Sequence, residues 1–171
     1  VGALCPHAES GVGALSTQAL VNPHYGAQGL KLLREGLPAA AVVQRLVSPD
    51  EGREQRQLHV IDAAGRVAQH TGKSCIDWCG AIAGEAFSVA GNMLAGARVI
   101  EDTARTYEER KELPFAERLL AALEAGQAAG GGKRGKQSGA LLLQSTEAYP
   151  QVSLRGADTA QPRAGRRRRV E

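Results

Sequence analysis

Apolar residues alternate with small or polar ones from Val12 to Val21, the two-residue period of a β-strand. Val12, Ala14, Ser16, Gln18 and Leu20 share one face; Gly13, Leu15, Thr17, Ala19 and Val21 share the other. Asn22-Pro23 stops the strand. Asn22 suits a helix cap and Pro23 a first helical position. The helix continues over 27–35 and ends at Gly36. Leu37-Pro38 opens a second helix over 39–47, with Val42, Val43, Leu46 and Val47 apolar. Alternation returns over 56–62, where Leu58, Val60 and Asp62 share a side. Asp62 to Gly65 is a turn, and 66–70 completes a hairpin.

A polar loop follows over 71–80, then a short strand over 86–90. Helices are predicted over 96–111 and 115–125, the second with Leu119, Leu120 and Leu123 at helical spacing. The apolar run at 140–144 lacks alternation and predicts a central strand, with a last strand at 151–154 beside it. Strands and helices come in blocks rather than as βαβ repeats, so the expected class is α+β with antiparallel pairing. One domain is expected over 1–155, followed by a disordered basic tail over 156–171.

Composition refines this picture. Apolar residues make up 43 % of the 171 residues and aromatics only 4 %, so the core must be built from Leu, Val, Ala and Ile. The net charge of +3 comes from the tail: without Arg163, Arg166 to Arg169 and Glu171, 16 cations face 17 anions. A near-neutral body is not a nucleic-acid-binding surface. Three cysteines at no framework spacing fit a reduced, cytoplasmic setting. No apolar run reaches membrane-spanning length. His70, Cys75 and Cys79 do not provide the four ligands of a structural zinc, so neither a metal nor another cofactor is expected.

The chemistry-bearing stretch is 123–143, where a helix runs into a glycine-rich loop with Lys133, Arg134 and Lys136 and then into an apolar strand. Such a loop can hold an anion or a polarised carbonyl, and can equally be a solvated turn. Arg134, Gln137 and Ser138 are its candidate binding residues. Gln18 is costly to bury without a partner and suits a polar pocket at a strand end. Asn92, between a strand and a helix, reads equally as a turn residue or as a donor to substrate. Asn22 and His70 also fall at element ends, where sites gather. None of these readings identifies a nucleophile.

Several stretches in order carry a resemblance: GVGALSTQA at 11–19, NPHYG at 22–26, GLKLLREG at 29–36, 56–68 with its DAAGRVA turn, HTG at 70–72, GNML at 91–94, AERLLAALEAGQAAGG at 116–131 and RGKQSGA at 134–140. Together they resemble the bacterial and archaeal domain-of-unknown-function family 1028, whose members are similar to N-terminal-nucleophile hydrolases. The resemblance implies a four-layer αββα sandwich, two antiparallel sheets between helical layers. It implies an amidohydrolase whose first residue, Thr, Ser or Cys, attacks while its own α-amino group takes the proton. That amine titrates near 8, within reach of working pH. The family's members begin with further strands, so this chain is expected to lack its first strands and the nucleophile upstream of Val1. At Gly132 the family often carries an acidic residue, and the ending from Thr159 differs from the family's. The partner expected is a small-molecule or peptide-like amide. An unpaired sheet edge in an incomplete sandwich makes a homo-oligomer a further expectation. The alternative on the same fold is a non-catalytic, wall-associated binding protein.

Overall fold

The computed structural model describes residues 4–157. Its elements are β1 (Pro6–Glu9), β2 (Gly13–Ala19), α1 (His24–Arg34), α2 (Ala39–Val47), β3 (Arg56–Asp62), β4 (Val67–Thr71), β5 (Gly80–Gly84), β6 (Phe87–Gly91), α3 (Arg98–Glu109), α4 (Phe115–Ala128), β7 (Ser138–Leu143) and β8 (Val152–Ala157). Strands β1-β2-β3-β4 form one antiparallel sheet, and β5-β6 and β7-β8 form two-stranded ribbons.

The register of the four-stranded sheet sorts its faces. Leu15 lies opposite Val60 and Thr17 opposite Leu58. Leu15, Leu58 and Val60 join Tyr25, Leu33, Val42 and Leu46 in a core between the sheet and the pair α1 and α2, and Thr17 is buried beside Leu58. Helix α1 sits close because Gly29 has no side chain; a Cβ there would stand 2.6 Å from a Leu15 methyl. Helix α2 begins after Pro38 and has no capping side chain of its own. Its cap comes from the hairpin. Asp62, 7 % exposed, accepts the Ala39 N–H at 3.0 Å through one oxygen and the Ala64 and Arg66 N–H groups through the other. Burial alone would raise its carboxyl pKa; the hydrogen bonds from Ala39, Arg66 and Ala64 outweigh that and hold it below the usual range.

The opposite face of the sheet carries polar side chains, and these hold the β5-β6 ribbon. Gln69 Nε2 donates to the Ile82 carbonyl at 3.0 Å and to Ser88 Oγ at 2.6 Å, and His59 Nδ1 lies 2.8 Å from the same hydroxyl. Helix α3 packs on β5 and β6 and against α4. Helix α4 rests on the second ribbon, with Ala116 and Leu119 against Leu141, Leu143 and Leu154. The β7 end reaches β1, where Gln144 Nε2 donates to the Ala8 carbonyl and Ser10 donates to the Ser145 carbonyl. The result is an α+β sandwich.

The structure departs from the pattern-based reading at three elements. β1 and β5 are strands that the alternation does not predict. β1 carries Pro6, His7 and Glu9 with no apolar period, and β5 is built of Gly and Ala around Ile82. β7 is not a central strand among the described residues: its one ladder partner is β8, and its leucines are buried under α4. The last strand runs to Ala157, past the expected domain boundary at 155; the basic tail from 158 lies outside the described residues. All three cysteines are free. Among the described residues no helix is long and apolar enough to cross a membrane.

Candidate functional site

Strand β6 ends at Gly91, and the turn Asn92-Met93-Leu94 carries the chain toward α3. The 76–78 loop bonds this turn through the backbones of Met93 and Leu94, and two further sets of bonds hold it from behind and in front. Behind it stands Gln57, 1 % exposed, on the polar face of β3. Gln57 Oε1 accepts from Gln18 Nε2 at 2.7 Å and from Asn92 Nδ2 at 3.3 Å. Gln57 Nε2 is shared among Thr71 Oγ1 at 3.0 Å and the carbonyls of Gly80 at 3.1 Å and Gly91 at 3.0 Å. Gln18 Nε2 also donates to the Ala90 carbonyl at 3.1 Å. This knot of carboxamides ties the sheet to both strands of the ribbon, satisfying polar groups that would be costly to bury unpaired.

In front of the turn lies the glycine loop. Helix α4 ends into Gly130 and Gly131, whose φ values of +121° and +59° a side chain would strain. A Cβ on Gly130 would also stand 2.7 Å from the Ala95 methyl. Freed of side chains, the loop docks by its backbone. Ala95 N–H donates to the Gly131 carbonyl at 2.9 Å and Lys133 N–H to the Met93 carbonyl at 2.8 Å. The Lys133 ammonium reaches the Asp77 carbonyl at 2.8 Å.

Between β6, α3, α4 and this loop lies a cleft of about 210 Å³. Val89, Leu94, Val99 and Ile100 form apolar walls, and Gly91, Gly131 and Gly132 bring backbone to its edge. Gln127, Lys136 and Ser138 also line it, and among the described residues their side chains make no hydrogen bond or ion pair. Three unspent polar groups beside apolar walls are the usual chemistry of a small-molecule site.

The structure divides the residues that the sequence singles out. It brings Gln18 and Asn92 together in the knot, and it sets Ser138 in the cleft. Arg134 and Gln137 stand exposed on the loop beside it. Asn22 belongs to a different cluster. Its Nδ2 donates to Asp50 at 3.0 Å, alongside Tyr25 Oη at 2.7 Å and Arg56 Nε at 3.1 Å, and its Oδ1 accepts the His24 N–H. Burial opposes the charge on Asp50, but the bonds from Asn22, Tyr25 and Arg56 prevail and hold its carboxyl far below the usual range. The same burial and the Asp50 charge push the Tyr25 phenol well above its ordinary value. His70 points to the Arg53 carbonyl at 2.9 Å, away from the cleft. Asn22 and His70 therefore bolt loops.

Sequence reasoning does not single out Gln57, Gln127 or the cleft position of Lys136. The spacing gives a signal only for Gln57, a second glutamine at a strand end. It does not single out His59 with Ser88 either. Burial lowers the His59 pKa to about 4, so the ring is neutral where its Nδ1 meets the Ser88 hydroxyl.

Comparison with curated proteins finds no match. Among solved structures, the chain is similar to the crystal structure of protein SPO2555 from Silicibacter pomeroyi, itself assigned to family model DUF1028. The two share 29 % identity at a TM-score of 0.91, over 99 % of this chain and 73 % of that one. The family model described as "Family of unknown function (DUF1028)" matches residues 1–165. With that match over nearly its whole length, this chain belongs to DUF1028.

Proposed function

We propose that the glycine-loop cleft is the substrate site of an amide hydrolase of N-terminal-nucleophile type. The observation that carries the reading is the cleft: three polar side chains without partners among the described residues, an apolar wall, and a glycine edge that lets substrate meet backbone. The packing order supports the four-layer αββα architecture that goes with it, from α1 and α2 to the sheet, then the ribbons, then α3 and α4.

Each residue then has a limited task. Gln127 and Ser138 can donate to or accept from an amide. Asn92 does not itself line the cleft; it follows Gly91, which does, and donates one amide hydrogen to Gln57, and its other amide hydrogen is the donor assigned to a developing oxyanion at that edge. Gln57 and Gln18 position Asn92 and touch no substrate. No nucleophile is assigned among the described residues. In hydrolases of this type it is an amino-terminal Thr, Ser or Cys, which attacks the carbonyl while its own amine takes the proton and then delivers it to the leaving amine.

The test uses the full-length protein with a panel of small amides, including N-acyl amino acids, and follows amine release by mass spectrometry. Turnover of at least one amide is expected, with kcat reduced about 100-fold in Asn92→Ala. Amides that bind and come back intact would establish the non-catalytic alternative instead.

A further inference from the structure

Three cations stand on the glycine loop, and they are not equivalent. Lys133 is spent on the Asp77 carbonyl. Arg134 is exposed and lies outside the cleft lining. Lys136 lines the cleft, and no described carboxylate pairs with it. Ser138 and Gln127 line the same cleft, each with an N–H or O–H to give. An ammonium that no described carboxylate neutralises, in one cleft with two neutral donors, attracts negative charge. The walls formed by Val89, Leu94, Val99 and Ile100 ask for something apolar.

We propose that the ligand of this cleft carries a single carboxylate, held by Lys136 and Ser138, on a short apolar body that lies along Leu94 and Ile100. The inference rests on the cleft being the substrate site. It deepens that reading by naming the class: small amides that are also monocarboxylic acids, such as N-acyl amino acids. The size, about 210 Å³, falls below the usual range of drug-sized pockets and favours a short ligand. The charge agrees as well. One lysine is a compact point charge suited to a monoanion, whereas a dianionic phosphate is usually met by bidentate guanidinium or several donors. Gln127, whose carboxamide lies beside Gly131, is left for the amide.

Calorimetric titration of the full chain with N-acetyl-L-leucine and with its uncharged carboxamide tests the assignment. The acid should bind saturably, and the carboxamide about tenfold more weakly, the worth of one charge-assisted hydrogen bond. Lys136→Ala should bring the acid down to the carboxamide's level, and Lys136→Arg should restore most of the difference. Lys136 is exposed, so an unchanged melting temperature will confirm that these variants fold. Equal binding of acid and carboxamide overturns the proposal, as does an unaffected Lys136→Ala. Inorganic phosphate displacing the acid at equal concentration also overturns it. Amine release is scored separately. Carboxylate-dependent binding without release leaves this inference standing and counts against hydrolysis. Release from neutral amides as fast as from acids does the reverse.

Discussion

Replacing Gln57 by leucine tests whether the carboxamide knot holds the two layers together. Leucine fits a buried strand position and keeps much of the volume, so the substitution isolates the polar contacts. Not all of them count equally. Gln18 Nε2 keeps its bond to the Ala90 carbonyl, and half-buried Asn92 and Gly80 can turn to water. Gly91 is buried, and its carbonyl loses the donor at 3.0 Å. Gly91 stays paired with Gly80 in the ladder, so losing this donor costs about 1–2 kcal/mol, and losing the short Gln18 bond costs about 1 kcal/mol more. Leucine's more favourable transfer returns only part of this. A net destabilisation of about 2 kcal/mol is expected; with a urea m-value of about 2 kcal/mol per M, that lowers the midpoint by about 1 M. Urea denaturation at pH 7, followed by circular dichroism, measures it. A midpoint shift below about 0.5 M at unchanged m would mean that water or repacking satisfies Gly91, and the knot would lose its structural role. Amide exchange at 91–94 should rise in parallel, because the turn loses its rear anchor.

Two further outcomes concern pH. Asp50 is held ionised by its three side-chain partners in the fold, so its contribution is present above the ordinary carboxylate range and is lost as pH falls below about 4. Asp50→Asn should cost about 2 kcal/mol at pH 7, and its stability curve should converge with the parent's between about pH 4 and 2; parallel curves would refute the assignment. His59 is neutral in the fold down to about pH 4, while the unfolded chain takes up its proton near 6.5. Stability should therefore fall by roughly 2–3 kcal/mol as pH drops through that window, and His59→Gln should flatten this slope in urea titrations.

Much of the fold is legible in the sequence where one face of an element meets a core. Helix α2 falls at 39–47 as its Pro38 start and apolar spacing predict, and Leu58, Val60 and Asp62 face the helices together. Legibility fails where an element owes its state to neighbours. β5 has almost no side-chain volume to show a period; its ladder with β6 and the glutamines beneath it make it a strand. The leucines of β7 signal burial, but α4 supplies it rather than flanking strands. The site behaves likewise. Gln18 and Asn92 are visible one at a time, whereas Gln57, which joins them, depends on a register between segments 35 residues apart. Lys136 reads as loop charge until α3 closes the far wall of the cleft.

Asp62 has a consequence for the route by which the chain folds. Pro38 leaves the first amides of α2 without a local acceptor, and the acceptor supplied lies 23 residues downstream. A nine-residue helix is too short to persist alone in water. It gains its terminus only once the 62–66 turn has closed, so the segment cannot mature ahead of the hairpin. The two should form in one cooperative step, and a change at Asp62 should slow folding rather than merely hasten unfolding.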